Sequence, residues 1–312
     1  MLDTRKSLDV FSVTTMIALC LLWGGQQVLI KLAASQVDPL LQLTIRYAIS
    51  ALILGGYLWY RQGSRLFSDK TVAAGILVGV LVALESIFIA EGLRYSSASH
   101  ITVFLYTGPL FASFGLHFLR KEERLSGSQW FFVVLAFLGI VITFMGRGEG
   151  GQGNTLLGDL LGLLSGAAWG ATTIAVRTSS LSDARPEKTL FYQVSIAALL
   201  IFPLTFFMGH STFEIDAAVV ANLTFQTLVL VLGTFLGWYW LLTKYLASRL
   251  SVLQLLTPVA GVALGVVVLN DVMDLWFVCG ALLVLIGVLG VSVLEVLTLR
   301  RAVTTSRLST ET

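Results

Sequence analysis

Ten apolar stretches, each about the length of a bilayer-crossing helix and bounded by charged or turn residues, recur along this 312-residue chain. They run approximately over 11–34, 39–60, 71–94, 97–119, 128–146, 157–177, 188–209, 219–244, 247–270 and 275–298. Composition agrees: 56% of residues are hydrophobic and 12% charged, mean hydropathy is +0.86, and the charges cluster between the runs. The expectation is an all-α integral membrane protein with ten transmembrane helices. The spans consume nearly the whole chain, so no globular extramembrane domain is expected.

Several alternatives fall to the same reading. A net charge of +2 is too small to imply nucleic acid. Cys20 and Cys279 both lie inside apolar runs, so neither a disulfide framework nor a metal site is expected, and no cofactor. The run that follows Arg5 and Lys6 has the look of a signal peptide, but Lys31 interrupts the region where cleavage would fall. An uncleaved first helix is the expectation. Gly148-Glu149-Gly150-Gly151-Gln152-Gly153 reads as a flexible linker, since no strand precedes it and no Lys-Ser/Thr follows.

Basic residues set the orientation. With the amino terminus in the cytoplasm, the cytoplasmic loops and tails carry sixteen Lys and Arg residues. The opposite side keeps only Lys31, Arg94 and Arg147, and Arg46 lies within a span. That bias puts both termini of a plasma-membrane protein inside, as an even number of spans requires. Tyr57, Trp59, Tyr60, Tyr192, Trp238, Tyr239 and Trp240 then fall near the inner interface, most of them as belt anchors.

The chain also repeats itself. Trp23-Gly24 is followed by Lys31, and Trp169-Gly170 by Arg177 at the same spacing; Pro39 aligns with Pro186, Ala98 with Ala247, Pro109 with Pro258 and Glu122 with Asp271. Two units emerge, 11–146 and 157–298, with a cytoplasmic tail over 299–312. Five spans per unit is an odd number, so the second enters the membrane from the opposite side, a 5+5 inverted repeat. Trp23 and Trp169 each fall roughly 18 Å into their spans, near the midplane. Duplicated helix sets are how many carriers build a central site that opens to either side.

This ordered set resembles the drug/metabolite transporter superfamily, specifically the ten-helix EamA-type exporters, over roughly residues 11 to 298. The paired Trp-Gly motifs with Lys31 and Arg177 carry the resemblance, together with Glu91-Gly92-Leu93-Arg94-Tyr95-Ser96-Ser97-Ala98 leading to Pro109 and Glu122. Asp271 departs from the usual Glu, and Arg249-Leu250-Ser251 is a looser match than its partner. The resemblance implies a carrier, since family members mostly move amino acids, other metabolites or drugs, many of them outward. Sugars, nucleosides and organic cations are the alternative cargo.

The candidate site residues follow from depth and chemistry. Arg46 and Glu85 lie at similar depth with opposite sign, roughly 10 to 14 Å below the outer surface. Two readings stand level. In one, Arg46 meets a substrate carboxylate while Glu85 meets an amine or carries a coupling proton; in the other they form a structural ion pair. Trp23 with Gln27 and Trp169 with Thr173 each put a ring and a hydrogen-bonding group on one helix face, and Tyr106 joins this aromatic group. Pro109, beside Gly108, and Pro258 are candidate gate hinges or static kinks. Lys31 is read either as an outer-mouth charge or as a snorkelling side chain. Gly162-x3-Gly166-x3-Gly170 and Gly261-x3-Gly265 point to close internal helix packing. A monomer or weak homodimer in the lipid bilayer, acting on a small molecule, is expected.

An intramembrane enzyme is the rival class. His100 and His117 lie roughly 25 Å apart along one helix, His210 follows span seven, and Asp159 lacks a Gly-x-Gly-Asp context. No catalytic constellation forms from these residues, so no enzyme is expected.

Overall fold

The computed structural model describes residues 9–63, 70–121, 124–145, 155–209, 212–245, 250, 253–254 and 256–308. Glu122, Ala247, Arg249, His210 and the glycine-rich 148–153 segment lie outside them. Helices α1 to α4 are Val10–Gly24, Gln26–Leu32, Pro39–Gln62 and Val72–Tyr95. Then come α5 (Ala98–Leu105), α6 (Gly108–Leu119), α7 (Gly127–Met145), α8 (Thr155–Thr178) and α9 (Pro186–Phe207). After α10 (Ala217–Phe225) the chain passes through a π-helical segment, Gln226–Gly233, into α11 (Thr234–Lys244). Two more helices follow, α12 (Leu256–Leu269) and α13 (Leu275–Leu308). The last continues ten residues past the expected end of its span at residue 298.

Helix starts are written locally. Asp9 caps α1 by accepting from Ser12 N at 2.8 Å, while Ser12 Oγ accepts from Asp9 N, a reciprocal capping box. That backbone bond is the main reason the Asp9 carboxyl sits below the ordinary aspartate range. Asp38 caps α3, which opens on Pro39 where no N–H is needed. Ser97 caps α5 and Asp216 caps α10, the latter through Val219 N at 2.7 Å.

Seven of these stretches are long and apolar enough to cross a membrane: Val10–Leu32, Pro39–Arg61, Val72–Tyr95, Ala98–Leu119, Thr155–Thr178, Pro186–Phe207 and Ala217–Trp238. Shorter apolar helices, Gly127–Thr143, Leu256–Leu269 and Leu275–Val291, occupy the positions of the fifth, ninth and tenth expected spans. Leu52, Phe207 and Val267 are 77%, 88% and 77% exposed, an outward apolar surface that suits lipid and not water. The chain is therefore a multi-pass helical membrane protein.

Segments that are remote in sequence meet at each end of the bundle. Val37 and Phe213 form an isolated antiparallel bridge, flanked by Asp38 N to Thr212 O at 3.1 Å and Glu214 N to Gln36 O at 2.8 Å. Lys70 and Ser180 meet at the opposite end, where Ser180 Oγ donates to Lys70 O at 2.9 Å. In between, small residues let backbones close up. A Cβ on Gly139 would stand 2.7 Å from Gly280 O, joining α7 to α13. The Gly162, Gly166 and Gly170 stripe of α8 likewise packs internally, against Phe104, Thr107 and Phe111.

Candidate functional site

Among the described residues, three spans lose regular α-helical form partway along. The first breaks at Gly25, between α1 and α2. The fourth breaks at Tyr106–Thr107, between α5 and α6. The eighth relaxes into the π segment. Irregular backbone at membrane depth is tolerated where protein surrounds it or a cavity adjoins it, and it frees polar groups to face inward.

Pro109 belongs to one of these breaks in a way the sequence reading missed. It sits in the first turn of α6, where the absent N–H costs no intrahelical bond. Pro109 starts a helix and does not kink the middle of one. Pro258 lies on α12, and residue 255 just ahead of that helix is outside the described residues. Pro203 of α9 lies inside its helix, on an exposed face.

Each duplicated Trp-Gly pair packs against the proline-bearing helix of the other half. A Cβ on Gly24 would lie 2.6 Å from both Gly261 N and Thr257 O of α12. A Cβ on Gly170 would lie 2.9 Å from Gly108 O and 3.0 Å from Ala112 N of α6. Pro258 lies between the first pair of contacts in sequence and Pro109 between the second. The crossings therefore match in kind as well as in place.

The two tryptophans have different surroundings. Trp169 stands edge-on to Tyr106, with centroids 5.2 Å apart and planes at 86°, and its ring fills the space above Gly108. Trp23 donates through Nε1 to Thr234 Oγ1 at 2.9 Å and meets Trp238 edge-on at 5.9 Å. Thr234 follows the π segment directly, and its own hydroxyl returns to Leu230 O. Trp23 thus belongs to an apolar cluster with Met16, Cys20 and Leu241, while Trp169 and Tyr106 pack on a larger one that includes Tyr47 and Leu105. Thr173 donates to the Trp169 carbonyl at 3.1 Å.

The direct Arg46–Glu85 ion pair does not form. Arg46 is 3% exposed; its Nη2 reaches Tyr47 Oη at 3.3 Å and its guanidinium lies 5.0 Å from the Tyr47 ring centroid. Tyr47 Oη in turn bonds Ser86 Oγ at 2.9 Å. Among the described residues, Arg46 Nε and Nη1 have no hydrogen-bond partner. Glu85, half-buried on α4, acts on Arg46 at longer range. Sequence fixes depth but leaves rotation about two helix axes open, and here Tyr47 takes the near position. The Tyr106 side chain is also within electrostatic range of Glu85 and approaches Thr257 of α12. Gln27 is buried with Oε1 unpartnered among the described residues. Arg46, Glu85, Tyr106 and Trp169 therefore form one neighbourhood, and Cys20, which like Tyr106 reaches Thr257, links it to the cluster of Trp23.

Lys31 is held by hydrogen bonds at a helix end. Its Nζ donates to the Leu93 and Ser96 carbonyls at the C-terminal end of α4. A cation is favoured there because the last carbonyls of a helix lack intrahelical donors.

Beside it lies a polar group that the sequence reading overlooked. Asp159 of α8 is fully buried; it accepts from the Ser96 hydroxyl and pairs with His100 Nδ1 at 2.8 Å. Asp271, beyond α12, accepts from Ser99 N at 2.9 Å and Ser99 Oγ at 2.7 Å. The segment entering α5 is thus held by two carboxylates from the second half of the chain. A carboxylate inside an apolar run is the available signal, while the sequence alone sets Asp159 and His100 only against catalytic or metal-binding roles.

A bundle of apolar helices, broken partway around buried polar side chains, is the architecture of a membrane carrier. The family model for the EamA-like transporter family matches residues 10–145 and 156–293, and the chain belongs to that family. It is 23% identical over 286 residues to the "Uncharacterized transporter YoaV" of Bacillus subtilis (strain 168), covering 91% of this chain and 95% of that one. It is 22% identical over 279 residues to a "Probable amino-acid metabolite efflux pump" of Escherichia coli (strain K12), covering 85% and 89%. A crystal structure of a protein 17% identical in sequence superposes with a TM-score of 0.62, over 94% of this chain and 99% of that one. At that identity the likeness speaks to fold alone.

Proposed function

We propose that this transporter is a secondary carrier that moves amino acids or similar small metabolites outward. In this reading the halves 11–146 and 157–298 form a 5+5 inverted repeat of ten spans, with both termini cytoplasmic, and rock around a central site. The reciprocal packing of Gly24 on α12 and Gly170 on α6 supports the repeat. The sixteen-to-three distribution of basic residues supports the orientation.

The observation that carries the substrate class is Arg46. A buried guanidinium with two nitrogens unpartnered among the described residues is costly unless something anionic completes it. A substrate carboxylate fits one edge of that guanidinium, where the second Nη2 hydrogen runs parallel to the N–H of Nε or Nη1 and the pair matches its two oxygens. Glu85 then faces the substrate amine, or carries the proton whose gradient drives export. Trp169 and Tyr106 supply a ring wall beside it. The name of the Escherichia coli relative agrees with this cargo.

The test is counterflow in liposomes reconstituted with the purified chain, screened against labelled amino acids, nucleosides and organic cations. Amino acids are expected to exchange and to compete with one another. Exchange of cations alone, with no response to carboxylates, would reject the Arg46 reading and leave the aromatic pair beside Glu85 as a cation site.

A further inference from the structure

Span eight is fastened to the first half of the chain on both sides of its π segment. On one side, the buried Gln226 donates through Nε2 to Gln42 Oε1 of α3 at 3.0 Å and to Asn222 Oδ1 at 2.9 Å. Asn222 Nδ2 donates in turn to Leu29 O of α2 at 3.0 Å, and Gln42 Nε2 donates to Ile30 O and Val37 O. On the other side, Thr234 accepts from the Trp23 indole of α1 at 2.9 Å. Val231 and Leu232 inside the segment, and Phe235 just beyond it, pack in the cluster that holds Tyr47, Tyr106 and Trp169.

The segment holds one residue more than an α-helix of the same rise. Thr234 N donates to Val229 O, five residues back, where an α-helix uses the fourth. Such single π turns inside α-helices occur frequently at functional sites. Gly233 suits this form: a Cβ there would stand 3.1 Å from Leu228 O, closer than side chains ordinarily come. Alanine at 233 therefore works against the π form while favouring the α form.

The spare residue has a geometric consequence. With α10 held through Gln226 and Asn222, a return of the segment to α-helix turns α11 by about 100° and moves it about 1.5 Å along its axis. Gly233 then comes opposite Trp23, and the indole bond is lost. Thr234 takes the place of Phe235 at the ring cluster, and Phe235 takes the outward place of Leu236, which is exposed. A bulky ring is exchanged for a hydroxyl beside Tyr47, Tyr106 and Trp169.

We propose that this change of register, π to α, is the switch of span eight. The π form closes the ring cluster with Phe235, and the α form presents Thr234 there as the two halves move. The proposal rests on the alternating movement of the halves argued above, and not on which solute is carried.

The test uses the full chain in liposomes and deletes Leu228, an exposed residue of the segment. The deletion removes the spare residue and keeps Gln226 and Thr234 in their present alignment. Folding is expected to be retained, with an unfolding temperature at or above the parent's, while solute counterflow falls about tenfold or more. Deletion of Leu199, exposed in the regular helix α9, should instead lower the unfolding temperature, because nothing there absorbs the turn. Gly233→Ala is the second variant, read by labelling Phe235→Cys with a lipid-soluble maleimide in a Cys279→Ser background. It should speed that labelling about fivefold, the population shift that the helix propensity of Ala over Gly supplies. Leu228 deletion should not speed it. A Leu228 deletion that exchanges solute at the parent's rate, or that unfolds as the Leu199 deletion does, overturns the proposal. So does Phe235→Cys labelling that Gly233→Ala leaves unchanged. Labelling needs no solute, so a parent that exchanges no amino acid rejects the substrate reading alone.

Discussion

Gly24 and Gly261 touch backbone to backbone, and there is no room between them for a methyl group. Neither α1 nor α12 can withdraw without losing the contact that joins the first span to the second proline-bearing helix. Gly24→Ala is therefore expected to destabilise the chain by about 1–3 kcal/mol, the usual range for overpacking. Gly170→Ala should cost a similar amount, through Phe111 and the α6 backbone. Gly56→Ala is the control, because its added methyl meets open space. Thermal unfolding in detergent, followed by size-exclusion fluorescence, separates the three.

Trp23 and Thr234 share a hydrogen bond between spans one and eight, next to the π segment. Trp23→Phe and Thr234→Val should each cost about 1 kcal/mol beyond packing changes, typical of interhelical hydrogen bonds in membranes. Because both remove the same bond, the double variant should cost less than the sum of the two. Additive losses in a double-mutant cycle would mean that the bond contributes nothing.

Asp159 joins α8 to the segment entering α5 through Ser96 and His100. Asp159→Ala takes from both groups an acceptor they share and should lower stability by about 1–3 kcal/mol. Asp159→Asn keeps an acceptor oxygen and should fall between the parent and Ala. Cysteine cross-linking between α5 and α8 in native membranes provides a second readout. It should become slower or less uniform in the Ala variant if this carboxylate is what holds the two helices in register.

Asp216 caps α10 and lies outside the spans. The Val219 N–H is the main reason its carboxyl sits below the ordinary aspartate range, with Gln36 Nε2 adding a second donor at 2.6 Å. A folded-state value below the unfolded one gives stabilisation that is present above the ordinary aspartate pKa, about 3.9, and lost as pH falls through the folded value. Hydrogen exchange at the Val219 amide should thus speed up on acidification into that range, beyond the intrinsic pH trend. In Asp216→Asn the extra acceleration should vanish.

The helices were legible because apolar length is a one-dimensional signal. The stretches 39–60 and 71–94 became Pro39–Gln62 and Val72–Tyr95, with Asp38 and the proline after it marking one start. The breaks were harder. A hydropathy window averages across Gly25, Tyr106–Thr107 and the π segment, since all three lie in apolar sequence. Pro109 was visible, but whether it bends a helix or begins one depends on the residues before it leaving helical geometry. Arg46 is buried and Glu85 half-buried, and their failure to touch is a matter of helix rotation. Asp159 and His100 come from different halves, and no local pattern announces that they meet.

Arg46 offers the sharpest test of the substrate reading, because its fork can be changed without removing its charge. Lysine keeps the cation but presents a single ammonium, which cannot match both oxygens of a carboxylate. If Arg46 holds the substrate, Arg46→Lys should raise the KM for an amino acid by about tenfold, one bidentate contact reduced to one point charge. The maximal rate should change far less, and decarboxylated amine analogues should be handled as before. If Arg46 instead organises Tyr47 and Ser86, the same variant should lower protein yield or unfolding temperature and affect acids and amines alike. Glu85→Gln completes the comparison: loss of the response to an imposed pH gradient, with substrate exchange retained, identifies Glu85 as the proton carrier. An unchanged gradient response removes it from that role and leaves it facing the substrate amine beside Tyr106.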